Sequence, residues 1–160
     1  MSQHELIGIL ERRRIEALVI KPIYEILKRE LGLEKTRSIL TEAIQHSAIE
    51  QGKEFREIEG GNTSLQSFID LQVLWEKDDA LEVEVFEANN SAYSYDVKRC
   101  QYAEMYKNLG LHEIGDILSC LRDYYFTEGY CPSVSLIRET TIMSGCEKCT
   151  FRYKNNSLDI

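Results

Sequence analysis

The sequence predicts one α+β domain: a helical N-terminal half, then an antiparallel sheet of about four strands, built as two hairpins with helices packed on one face. Three observations carry that expectation. Apolar residues recur at helical spacing up to about Trp75. From Leu81, and again from Ser133, the pattern switches to alternation. Each alternating stretch is followed by turn chemistry and a second one. With 160 residues, 43% hydrophobic and 29% charged, the chain has the size and balance of a single unit. The helical portion is expected over 1–76, and the sheet, with two inserted helices, over 80–154.

In chain order, Leu6, Ile7, Leu10, Leu18, Ile23, Ile26, Leu27 and Leu31 mark the apolar stripe of a helix over 4–31. Pro22 falls inside it and is expected to kink or split it, and Gly32 to stop it. A second helix is predicted over 34–55, with Ile39, Leu40, Ala43, Ile44 and Ala48 facing inward. The run Gly60-Gly61-Asn62-Thr63-Ser64 is a break ending in an N-cap residue, and a third helix follows. Leu81, Val83 and Val85 alternate with Glu82 and Glu84. Asn89-Asn90-Ser91 turns the chain, and Tyr93, Tyr95 and Val97 alternate again, which makes a hairpin with one polar face. Two short helices, 100–109 and 112–126, divide at Gly110. After the punctuation of Gly129 and Pro132, residues 133–143 read as a strand, Ser144-Gly145 as a turn and 149–154 as a last strand.

Composition excludes several function classes. Nineteen Lys and Arg against 27 Asp and Glu give −8, with a pI near 5.0, which opposes binding to a phosphate backbone. The one basic run, Arg12-Arg13-Arg14, reads as a solvated helix face. No stretch approaches the ~18 apolar residues of a membrane span, and no basic segment precedes an apolar run at the start. Five cysteines, an odd count, point to reduced thiols. The expectation is a cytoplasmic protein with a small-molecule substrate, no nucleic acid and no membrane, with a homodimer left open.

The chemistry concentrates between Arg99 and Tyr153, which hold all five cysteines. Cys100 lies at a strand-to-helix junction, where unpaired N–H groups could stabilise a thiolate; a packed, inert thiol is an equal alternative. In the helix over 112–126, Ile114, Ile117, Leu118, Leu121 and Tyr125 form the buried stripe. Asp116, Cys120, Asp123 and Thr127 form a second one along its flank. Asp123 there could serve as a general base. Arg138 shares the apolar face of its strand with Val134, Leu136, Thr140 and Ile142, so it needs an anion: either Asp123 or a ligand carboxylate. The single pair Cys146/Cys149 is weak ground for a metal, which remains a minor alternative to no cofactor.

These residues resemble a known family. Cys100-Gln-Tyr102-Ala-Glu104-Met-Tyr106, Leu109-Gly110, Cys120-x-x-Asp123, and Arg138-x-Thr140 running to Gly145, Cys149, Phe151 and Tyr153 are similar to the L-2-amino-thiazoline-4-carboxylic acid hydrolases. The resemblance implies hydrolytic opening of a cyclic amidine to N-carbamoyl-L-cysteine, a step of bacterial cysteine formation. It also implies catalytic positions at Cys100, Asp123 and Cys120, and substrate contacts at Arg138, Tyr102, Glu104 and Cys149. A non-catalytic binding or sensor module, with Tyr93, Tyr95, Tyr102 and Tyr106 around a pocket, and a cysteine-liganded metal protein are the competing readings.

Overall fold

A computed structural model describes residues 6–158; the expected helix start at His4 lies outside them. The α+β expectation holds. The first helical run, α1 (Ile9–Ile58), keeps helical dihedrals through Pro22 and breaks only at Gly32, whose φ of 81° suits glycine. The split expected at Pro22 therefore falls at Gly32 alone. Beyond the break, Thr36, Leu40, Ile44, Ala48, Gln51, Gly52 and Phe55 turn inward, close to the predicted stripe.

Before the break the face is not the predicted one. Ile9, Arg13, Ala17 and Tyr24 are buried, whereas Leu18, Ile23, Ile26 and Leu31 are about half exposed. Helical spacing finds a stripe, but it does not say which stripe meets the core.

Ser64 caps α2 (Leu65–Leu71): its Oγ accepts from Ser67 N, while Ser67 Oγ accepts from Ser64 N. A break at Gln72 leads to α3 (Val73–Glu76). Strands β1 (Leu81–Ala88) and β2 (Ala92–Cys100) form the first hairpin. Then come α4 (Gln101–Asn108), a π turn at Asp116–Cys120, α5 (Arg122–Tyr130), β3 (Val134–Ile137) and β4 (Cys149–Asn155). The sheet is antiparallel in the order β1-β2-β4-β3.

Two predicted elements are corrected. The strand expected over 133–143 ends at Ile137, because Thr141 caps a short 3-10 turn at Ile142–Ser144 and Gly145 closes it at φ 98°. The helix expected over 112–126 contains the π turn, in which Leu121 N donates to Asp116 O at 2.9 Å. That one extra residue puts Arg122 and Phe126 in the core instead of Leu121 and Tyr125.

Gly129, expected to punctuate, lies inside α5 and lets two backbones touch. A Cβ there would sit 2.1 Å from Ile49 O, and one at Gly52 would sit 2.2 Å from Phe126 O. The sheet turns Tyr93, Tyr95, Val97, Cys149, Phe151 and Tyr153 inward. On its other face Asp96, only 2% exposed, accepts from Lys148 Nζ at 2.6 Å and from Arg152 Nη2 at 2.9 Å.

Candidate active site

Between α1, α4, the π turn, α5 and the sheet lies a cavity of about 60 Å³, partly open to solvent. Its walls are mostly aromatic and aliphatic, including Phe68, Trp75, Tyr95, Phe126 and Phe151, and a few polar groups converge among them. Six of the seven residues expected at a site line it: Cys100, Tyr102, Cys120, Asp123, Arg138 and Cys149. Glu104 does not. It sits on the outer side of α4, half exposed, and pairs with Arg99 at 3.0 Å.

Arg138 stands just past the end of β3 with its side chain 4% exposed. Its Nη1 donates to Asp123 Oδ2 at 2.5 Å and its Nη2 to the Cys120 carbonyl at 2.8 Å. The rings of Tyr124 and Phe151 lie on the guanidinium, 5.0 and 4.9 Å from its carbon. Of the two anions open to Arg138 in the sequence, Asp123 is one that it contacts. Arg138 Nε is buried and has no hydrogen-bond partner among the described residues. Burial raises the Asp123 carboxyl above its ordinary value, and Arg138 opposes that shift without reversing it.

Burial acts against the thiolate at each of the three cysteines that line the cavity. Cys100 is the N-cap of α4, and the N–H groups of Tyr102 and Ala103 favour its thiolate, but burial outweighs them and pushes its pKa to about 11. Cys120 and Cys149 are likewise raised, first by burial. Cys149 Sγ accepts from Ile142 N at 3.2 Å, which holds the 3-10 turn against β4. Tyr102 Oη donates to Trp75 O at 2.9 Å and so joins α4 to α3. Cys146 is exposed and Cys131 is buried outside the cavity. Among the described residues no three His, Cys, Asp or Glu side chains gather as metal ligands would.

The sequence reading missed a second polar cluster at the cavity wall. Arg13 and Arg122, 3% and 5% exposed, both line it. Arg13 Nη1 donates to both oxygens of Glu16 at 2.9 and 3.0 Å, and its Nη2 to Gln51 Oε1 at 2.9 Å. Arg122 bonds Leu118 O, Ser47 Oγ and Glu16 Oε2. Burial, and then the charge of Arg13, lowers Arg122 to about 10. Arg13 was hidden in a run of three arginines, although its spacing of four from Ile9 and Ala17 is the spacing of the buried face. Arg122 was hidden by the π turn.

Three buried guanidiniums, Arg13, Arg122 and Arg138, and one carboxylate, Asp123, thus line one cavity, and Glu16, outside its lining, pairs with Arg13 and Arg122. The lining carries more guanidinium than carboxylate groups, so the cavity is electrostatically suited to an anionic ligand.

The fold is similar to two solved structures. One is the phenol-responsive sensory domain of the transcription activator PoxR with phenol: TM-score 0.53, 9% identity, 86% of this chain and 73% of that chain covered. The other is a trafficking protein particle complex subunit 3 from Naegleria fowleri covalently bound to palmitic acid: TM-score 0.51, 10% identity, 90% and 95% covered. At such identities the likeness concerns the fold alone. No curated protein sequence matches. The family model described as L-2-amino-thiazoline-4-carboxylic acid hydrolase matches residues 12–153, from the buried arginine cluster to the last strand, and this chain belongs to that family.

Proposed function

We propose that the protein is a hydrolase that opens a small cyclic amidine ring in this cavity. The observation that carries the reading is the meeting of the Asp123–Arg138 pair with an excess of buried guanidinium charge in one pocket. In L-2-amino-thiazoline-4-carboxylate the carbon between ring nitrogen and sulfur is the electrophile. Asp123, its basicity raised by burial, takes a proton from water as the oxygen adds to that carbon. The ring nitrogen takes the electron pair of the carbon–nitrogen double bond and the remaining hydroxyl proton, the carbon–sulfur bond breaks with its electron pair on sulfur, and the proton held by Asp123 passes to the leaving thiolate. One water is consumed, and N-carbamoyl-L-cysteine is the product.

Arg138 was expected to hold the substrate carboxylate. Since it is already paired with Asp123, the carboxylate is better assigned to Arg13 and Arg122, where the extra charge lies. Arg138 then acts as a positioning residue for the base. The protonated state of Cys100 favours water over a thiolate as the attacking group.

The test is to incubate the purified protein with L-2-amino-thiazoline-4-carboxylate and follow free thiol, alongside Asp123→Asn and Cys100→Ser. Thiol release that Asp123→Asn lowers by about a hundredfold or more, with Cys100→Ser milder, supports this allocation of roles. Abolition by Cys100→Ser alone moves the attack to the thiol. No release from folded wild-type protein removes the activity.

A second reading, a sensor domain that binds without turnover, draws on the aromatic lining and on the fold likeness to the phenol-responsive domain. Saturable binding of a small aromatic or anionic ligand without chemical change would select it.

A further inference from the structure

Leu18, Ile23 and Ile26, which the sequence assigns to the core, lie outside it on one exposed face of α1. Ile15, Leu18, Val19, Ile23 and Ile26 are 48–63% exposed, Pro22 is exposed among them, and no other described element covers them. They form one contiguous stripe at spacings of three and four. The stripe is symmetric along the helix. Ile15 and Ile26, Leu18 and Ile23, and Val19 and Pro22 are each equidistant from a point between Ile20 and Lys21.

The charges beside the stripe follow the same symmetry with opposite signs. At about 100° per residue, Glu11 and Arg29 lie along one flank, and Arg12 and Glu30 along the other. Each pair straddles that central point to within one residue. In an antiparallel pairing each flank meets its own copy reversed, so Glu11 faces Arg29 and Arg12 faces Glu30 across the interface. In a parallel two-fold pairing the flanks exchange, so Glu11 would face Arg12 and Arg29 would face Glu30; both pairings are charge-complementary, and the antiparallel one also opposes the two helix dipoles.

From the apolar stripe and this charge pattern we infer that the protein is a two-fold symmetric homodimer, with the α1 segments around residues 11–30 packed antiparallel through Ile15, Leu18, Val19, Pro22, Ile23 and Ile26. The two-fold relation makes every contact count twice, as an isologous interface requires. The charged side chains now pair within their own helix: Glu11 with Arg14, Arg12 with Glu16 and Arg29 with Glu30. These are exposed or part-exposed pairs whose rearrangement costs little. A membrane surface fits the face less well, because its flanks carry both signs whereas a helix lying on lipid carries mainly Lys and Arg. The opposite side of the same turns carries Arg13 and Ala17 into the core. The dimer therefore braces the segment that brings Arg13 to the cavity.

The experiment is sedimentation equilibrium on the full chain across the micromolar range, with circular dichroism on each variant. Wild type is expected at twice 18.6 kDa. Val19→Glu, at a position 63% exposed and so tolerated by the folded chain, should be a monomer with an unchanged spectrum. Arg29→Glu should weaken the dimer by about tenfold, since the change falls on two symmetry-related contacts. Adding Glu11→Arg in the same chain should restore it. A wild-type monomer at every concentration overturns the inference, and so does a dimer indifferent to Val19→Glu. Failure of the charge swap to restore association overturns the antiparallel register.

Discussion

Arg138 Nη1 lies 2.5 Å from Asp123 Oδ2, and the guanidinium spans from the end of β3 to α5 in contact with the rings of Tyr124 and Phe151. The pair is mutually dependent. Burial disfavours the charge on Asp123, while Asp123 and Cys120 hold Arg138 protonated against the opposing effect of its own burial. Removing one member leaves the other charged in a nearly dry wall, which costs more than removing both.

Arg138→Met is accordingly expected to lower unfolding stability by about 3–5 kcal/mol, and the double variant Arg138→Met/Asp123→Asn to recover much of that loss. Urea unfolding of the two single variants and the double variant measures the coupling. Additive losses would mean that the two groups do not depend on one another.

Thiol reactivity should depend steeply on pH. A pKa near 11 keeps Cys100 almost fully protonated at pH 8, with about one molecule in a thousand as thiolate. Iodoacetamide labelling of Cys100 in the folded protein, read by peptide mass, should rise about tenfold per pH unit from 8 to 10. Exposed Cys146 is the internal control. A thiol whose folded pKa is raised contributes stability that is complete below its unfolded pKa and is lost as pH rises through the folded value. Alkaline loss of stability should therefore begin near pH 9 and grow toward 11. Labelling of Cys100 that levels off near neutral pH would mean an activated thiol.

The contact between α1 and α5 gives a stability prediction. Gly129→Ala places a methyl group 2.1 Å from Ile49 O, and that neighbour is backbone with nowhere to turn. The helices must part, at a cost of about 3 kcal/mol or more. Gly110→Ala is the control, since open space surrounds that position and only its φ of 73° resists the change. Thermal or urea unfolding should rank Gly129→Ala well below Gly110→Ala, and the reverse order would mean that the helices are not in backbone contact.

What the sequence made legible were features settled by a few neighbouring residues. The hairpin at 81–97, the break at Gly32, the Ser64 cap and the junction at Cys100 depend on alternation, glycine dihedrals and short polar side chains. Arg138 was legible as a buried cation because strand alternation, continued one residue past the strand, still points it inward. What stayed hidden depended on distant partners. Nothing local distinguishes Arg13 from Arg12 and Arg14 until Glu16 and Gln51 are placed around it. Nothing marks Gly52 and Gly129 as a pair across two helices. The outward stripe of α1 had the periodicity of a core face, and composition alone does not decide which of two helix faces is covered by the same chain.

The π turn at Asp116–Cys120 has a consequence for chain length. It holds one residue more than a regular helix needs, and the segments on either side are each in phase with the core. A chain one residue shorter within 116–120 can close to an ordinary helix with Ile114, Arg122 and Phe126 still facing inward. A deletion within 122–130 has no such slack and would swing Gly129 away from Ile49. The two halves of this helix thus differ sharply in their tolerance of deletion, and the tolerant half borders the cavity.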